Sequence, residues 1–242
     1  MIRIGLLIFP DMTQLDMTGP LQVFTSLPGA EVHLLWKTLD PVTCGGGLRL
    51  LPDTTLADCP RLDVICVPGG YGVMPLMEDE TVLAFLRQQA DTARYVGSIC
   101  TGSLVLAAAG LLKGRRATTH WAWLDLLARL GAEPVSQRVV RDGKFFSGGG
   151  VTAGIDFALT MIAEIAGRDA AESIQLGIEY APAPPFESGH PDTARPEVLA
   201  ATRQRLEALR APREAAVDRV AARLAHASEP ARSPLQSDGL RA

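Results

Sequence analysis

Two hydrophobic patterns alternate along the chain. Residues 2–9 form a nearly continuous apolar run, stopped by Pro10-Asp11. Such a run predicts a strand buried on both faces. Residues 32–37, Asp63-Val-Ile-Cys-Val67 and residues 95–99 read the same way. Between these runs the spacing turns helical. Thr18-Gly-Pro-Leu-Gln-Val-Phe24 predicts a helix with Pro20 in its first turn. Over residues 78–89, Val82, Leu83, Phe85 and Leu86 share one face, with acids in the first turn. Small residues over 101–109 predict a helix ending at Gly110, and residues 121–130 a helix closed by Gly131. Short strands are expected within 43–51 and at 117–119. Residues 139–146 predict a hairpin turning at Asp142-Gly143, followed by a helix over 155–165. Alternating β and α elements imply an α/β fold, with a mostly parallel sheet covered on both faces.

Beyond residue 180 the pattern changes. Ala181-Pro-Ala-Pro-Pro185 cannot continue a helix and predicts a loop or strap. Residues 196–224 predict one Arg-rich helix, with Leu199, Leu206 and Leu209 as its contacts. The organisation expected is an α/β domain over 1–190, a helical extension packed on it over 191–228, and a flexible tail over 229–242.

Composition narrows the class. Of 242 residues, 47% are hydrophobic and 21% charged, which places the chain among globular proteins. A net charge of −4 argues against broad attraction to nucleic acid or to an acidic membrane surface. No apolar stretch approaches the roughly 20 residues that a membrane span needs. Cys44, Cys59, Cys66 and Cys100 form no C-x-x-C pair, and the four histidines are scattered. Neither a disulfide framework nor a zinc site is expected. Four free thiols suit a reducing compartment, so a cytoplasmic location is the expectation.

The strongest chemical signal is Val96-Gly-Ser-Ile-Cys-Thr-Gly-Ser-Leu104. A strand gives way to a helix within about two residues, and Cys100 stands at the junction. This is the pattern of a nucleophile elbow, with the helix end expected to lower the thiol pKa. A second signal is Asp16, in Leu15-Asp-Met-Thr-Gly-Pro20. It reads either as a plain helix cap or as a carboxyl facing Cys100. The second reading requires the two strands concerned to be neighbours at the sheet's carboxyl edge. A carboxyl beside a thiolate tends to keep its proton.

Val67-Pro-Gly-Gly-Tyr-Gly72 follows a strand, so Gly69 and Gly70 are candidates for a cradle of backbone N–H groups. Neither phosphate-loop pattern is present. Gly148-Gly149-Gly150, after the hairpin, would let backbone come close to Cys100, with Gly149 and Gly150 as candidate local support, and Val151 beside them is a candidate strained residue. His120 reads either as a base for Cys100 or as a bystander at a strand–helix junction. Cys66 reads as core, Cys59 as a loop residue, and Cys44, beside three glycines, as exposed.

Several segments together resemble the DJ-1/PfpI superfamily over residues 2–185. They are Pro10-Asp-Met-Thr-Gln-Leu-Asp-Met-Thr-Gly-Pro20, Val67-Pro-Gly-Gly70, Ile99-Cys-Thr-Gly-Ser103, Arg116-Ala-Thr-Thr-His-Trp121 and Gly149-Gly-Val-Thr-Ala-Gly-Ile-Asp156. The resemblance implies a flavodoxin-like three-layer sandwich, with a cysteine at the elbow and an acid nearby. Many members carry Glu as the acid and His directly after the cysteine. Here those positions hold Asp16 and Thr101. That departure, with Tyr180-Ala-Pro-Ala-Pro-Pro-Phe186, is similar to the branch that hydrates isonitriles.

This branch implies a hydro-lyase that converts an isonitrile to an N-substituted formamide through a thioimidate on Cys100. Asp16 would act as proton donor and then base, and Thr101 would position substrate or water. Gly70, beside Gly69, would offer an N–H to the cradle. No metal or organic cofactor is implied. The pocket is expected to be apolar and the assembly a homodimer, with the site near its interface. Two rivals stand beside this reading. One is a ligand-sensing domain of the AraC-associated type, for which the segment after Arg195 is too short to hold paired helix-turn-helix units. The other is a thiol-based stress or deglycase-like protein.

Overall fold

The computed structural model describes residues 1–227. Seven strands form the central sheet: β1 (Ile2–Leu7), β2 (Ala30–Trp36), β3 (Thr54–Thr55), β4 (Val64–Val67), β5 (Tyr95–Ile99), β6 (Val139–Asp142) and β7 (Phe145–Gly148). They lie side by side in the order β6-β7-β5-β4-β1-β2-β3. Every neighbouring pair is parallel except the β6–β7 hairpin. Ile4 pairs with Val32 on one side and Val64 on the other. Strands β4 and β5 are covered on both faces, which is why they carry so few polar side chains.

The helices are α1 (Gln14–Thr25), α2 (Val73–Leu76), α3 (Glu80–Thr92), α4 (Gly102–Ala108), α5 (Leu124–Arg129), α6 (Ala153–Ala166), α7 (Arg168–Gly177), α8 (Pro196–Glu207) and α9 (Arg210–Ala227). Helix α1 packs on α6, and α6 on α7; α4 touches α2, α3, α5 and α9. The architecture is therefore an α/β sandwich around a mostly parallel sheet. Asp79 caps α3 by accepting the Val82 N–H, and Val82, Leu83, Phe85 and Leu86 are buried as their spacing predicts.

Four local expectations need correction. Helix α1 opens at Gln14 rather than Thr18, so Asp16 lies in its first turn and Pro20 in its interior. Proline has no N–H, so the Asp16 carbonyl loses its usual helical donor. The hairpin turns at Gly143-Lys144, because Asp142 pairs with Phe145. The single helix expected over 196–224 is two, since Pro212 cannot donate to the turn before it but fits the first turn of α9. Cys44 is buried. Helix α7 had no counterpart in the sequence reading.

The helical extension is part of the core. Ala216, Val217 and Val220 on α9 are buried, Arg219 pairs with Glu78 at 2.8 Å, and Arg223 donates to the Met77 and Ala108 carbonyls. Arg129 pairs with Asp218. The tail expected over 229–242 lies outside the described residues. Among the described residues, no helix is long and apolar enough to cross a membrane.

Candidate active site

Cys100 directly follows β5, with φ = 53°, a left-handed backbone that a side-chain-bearing residue adopts only under constraint. Hydrogen bonds impose it. The Cys100 N–H donates to the Gly148 carbonyl at 3.0 Å. The Cys100 carbonyl accepts from Thr119 Oγ1 at 3.0 Å and Ser103 Oγ at 3.2 Å. Gly102 opens α4 directly against the end of β4: a Cβ there would collide with the Val67 carbonyl. The elbow thus needs glycine at 102, and its geometry lifts the sulfur to the carboxyl edge of the sheet.

Asp16 reaches that sulfur by a route the sequence reading did not anticipate. Strand β4 lies between β1 and β5, so the two strands are not neighbours. The first turn of α1 crosses instead over the end of β4. Thr13 N–H donates to the Gly69 carbonyl at 2.9 Å, and Met12 bridges to Gly70. The Gly69 N–H in turn donates to Asp16 Oδ2 at 2.9 Å. The carboxyl is completely buried, and it and the Cys100 thiol are near enough to shift each other's proton affinity. Oδ1 has no hydrogen-bond partner among the described residues. Burial lifts the Asp16 pKa from 3.8 to about 7, against the lowering pull of the Gly69 N–H and the thiol.

The thiol departs from expectation. Burial, and then the Asp16 charge, push Cys100 above the ordinary thiol range; the N–H and hydroxyl of Thr101 oppose this and do not win. Helix α4 has only seven residues, and its end does not outweigh desolvation. Burial and the Asp16 charge both favour the protonated thiol at rest.

The cradle is also rearranged. Gly69 N–H is committed to Asp16, and Gly70 N–H donates to Thr101 Oγ1 at 3.0 Å. Neither is free for substrate; they hold the acid and the threonine in place. Of the triple glycine, Gly148 brings its backbone to Cys100 as expected, whereas Gly149 and Gly150 do not. They border a neighbouring groove with Thr119 and Trp121. Val151 does line the Cys100 cavity, but its backbone is not left-handed.

That cavity measures about 150 Å³ and is walled by Cys100, Thr101, Tyr71, Leu206, Leu209 and Arg213, with His120, Trp123 and Val151 beside them. His120 is therefore in the site. Its Nδ1 accepts the Ala122 N–H at 3.3 Å, which leaves the proton on Nε2. Burial and then the Arg213 charge lower its pKa to about 4, so the ring is neutral at pH 7. The sequence reading missed Arg213. Its signal was a charged residue in register with Ala216, Val217 and Val220, the buried stripe of α9. No cluster of metal-ligating side chains exists among the described residues.

The DJ-1/PfpI family model matches residues 2–164. The chain belongs to the DJ-1/PfpI family. Its elbow cysteine and buried acid are thus set in a DJ-1/PfpI sheet. A relative named isonitrile hydratase, from Pseudomonas putida, is 60% identical over 92% of this chain and 98% of its own. The crystal structure of a ThiJ/PfpI family protein from Pseudomonas syringae superimposes with a TM-score of 0.86 at 43% identity, covering 91% of this chain and 90% of that one. The transcriptional regulator GbdR of Pseudomonas aeruginosa is 32% identical over 71% of this chain, which spans 48% of the regulator. Among the DJ-1/PfpI relatives described, the likeness to the Pseudomonas putida protein thus includes the helical extension that completes the cavity.

Proposed function

We propose that this protein is an isonitrile hydratase, adding water to R–N≡C to give an N-substituted formamide. The observation that carries the reading is the buried Asp16 carboxyl set beside the buried Cys100 thiol. The identity to the Pseudomonas putida hydratase over nearly its whole length supports the substrate class.

An isonitrile carbon accepts a nucleophile and a proton at the same atom. A thiol paired with a carboxylate supplies both. As Cys100 Sγ attacks the carbon, its proton passes to Asp16 and from there to that carbon, leaving a thioimidate, R–N=CH–S–Cys100. Water then attacks the same carbon, with Asp16 taking its proton and passing it to nitrogen. The adduct collapses: the carbon–sulfur bond breaks, the hydroxyl proton returns to sulfur, and the formamide leaves. Asp16 can both take and give a proton near pH 7 because burial has moved its pKa there. Thr101 steadies the sulfur through its N–H and hydroxyl, and neutral His120 offers an Nε2–H to the adduct.

No step calls for a metal or organic cofactor. A homodimer is part of the same proposal, drawn from kinship and checked by light scattering. The function is tested by incubating purified protein with neutral and charged isonitriles, cyclohexyl isocyanide first, and following formamide by chromatography. Turnover by the wild type with none by Cys100→Ala supports the reading. No formamide from any of them overturns it.

A further inference from the structure

Arg213 stands in the first turn of α9 and in the wall of the Cys100 cavity. The residue is 3% exposed, and its guanidinium carbon lies over the Trp123 ring, 4.1 Å from the centroid. Its Nε is buried without a partner, and no group among the described residues accepts a hydrogen bond from it. The other arginines of α9 are engaged. Arg210 pairs with Asp125 and Glu214, Arg219 with Glu78, and Arg223 with two main-chain carbonyls. Glu214, one residue away, is shared by Arg210 and Arg129.

A buried cation without a counterion is costly, and the cost is relieved when a ligand completes the pair. The sulfur does not complete it at rest, because burial keeps the thiol protonated. The planar fork of a guanidinium matches a carboxylate. Beside it are the Nε2–H of His120 and the apolar walls of Leu206, Leu209 and Val151. The space they line, about 150 Å³ and open outward, leaves room for a small reacting end between Cys100 and Arg213.

We propose that Arg213 anchors a carboxylate subsite, and that the preferred substrates are small isonitriles with a carboxylate a few atoms from the reacting carbon. The isonitrile half of this statement rests on the function proposed above; the carboxylate subsite rests on Arg213 alone.

The test compares isocyanoacetate with methyl isocyanoacetate, which differ only in charge and one methyl group. It uses the full chain and the variants Arg213→Met and Arg213→Lys. A companion measurement reads binding of N-formylglycine, the product of the charged substrate, and of its methyl ester by calorimetry. In the wild type, kcat/KM is expected to favour the acid over the ester at least tenfold, chiefly through KM. Arg213→Met should bring that ratio near one, and Arg213→Lys should keep part of it. N-formylglycine should bind the wild type more tightly than its ester does. This readout holds even if a variant does not fold.

A wild-type ratio at or below one, or a ratio unchanged in Arg213→Met, overturns the subsite and leaves hydration standing. Failure to hydrate these two and every other isonitrile tested, with N-formylglycine still bound in preference to its ester, overturns hydration and supports the subsite. Absence of both signals overturns both.

Discussion

The Gly69 N–H donates to Asp16 Oδ2 at 2.9 Å across 53 positions of sequence. The same glycine is wedged against Thr101: a Cβ on it would stand 2.5 Å from the Thr101 nitrogen and 2.9 Å from that carboxyl oxygen. One residue therefore spaces the acid from the elbow. Gly69→Ala is expected to displace both and to lower kcat/KM about 100-fold, the usual cost of misplacing reacting groups by about 1 Å. Steady-state kinetics, with circular dichroism to show a folded chain, decide it; a rate within threefold of the wild type would remove Gly69 from this role.

In the proposed mechanism Asp16 and Cys100 share one proton. Below about pH 7 the carboxyl is protonated as well as the thiol, and the pair has no base. The kcat/KM profile should therefore rise with pH through an apparent pKa near 7. Asp16→Asn should lose this limb and fall by about 10²- to 10⁴-fold. An unchanged limb in that variant would assign it elsewhere.

His120 is the other group whose ordinary range includes that limb. Its pKa is lowered to about 4, so it stays neutral across the rise. His120→Gln should change the plateau rate and leave the limb in place. A limb that vanishes in His120→Gln and survives in Asp16→Asn would reverse the assignment.

The same carboxyl links stability to pH. Its pKa is raised on folding, from 3.8 to about 7, so folding favours the protonated form. That stabilisation is complete below the unfolded value and is lost as pH rises through 7. Full ionisation withdraws on the order of 4 kcal/mol. Wild-type Tm should fall between pH 5 and 8, whereas Asp16→Asn should fall less and melt higher at pH 8. Calorimetric scans across this range give the comparison. Parallel Tm curves for the two proteins would contradict the shift.

The left-handed backbone of Cys100 predicts a reversal of the usual side-chain order. In ordinary conformations alanine is favoured over glycine by about 0.5–1 kcal/mol. At φ = 53° a Cβ costs about 1 kcal/mol or more. Cys100→Gly should thus be at least as stable as Cys100→Ala in urea, with both devoid of hydration activity. An alanine variant clearly more stable than the glycine variant would show that the elbow relaxes when sulfur is removed.

Every strand of the central sheet except the two-residue edge strand β3, most of the helices, and the elbow at Cys100 were legible in the sequence because each rests on neighbouring residues. A run such as Asp63-Val-Ile-Cys-Val67 declares that both its faces are buried, and Ile99-Cys-Thr-Gly102 declares a sharp turn. Asp16 was legible as a candidate, but its partner was not. The route over Gly69 depends on β4 lying between β1 and β5. The state of the thiol was also beyond the sequence, because desolvation depends on everything packed around the sulfur, whereas the helix-end effect is local. Arg213 shows the limit most clearly. Its position on the α9 stripe told that it faces inward, and only the packing of α9 against Trp123 told that inward means the Cys100 cavity. Local periodicity reports which face of an element is buried; which distant element covers that face is decided by close packing of the whole chain.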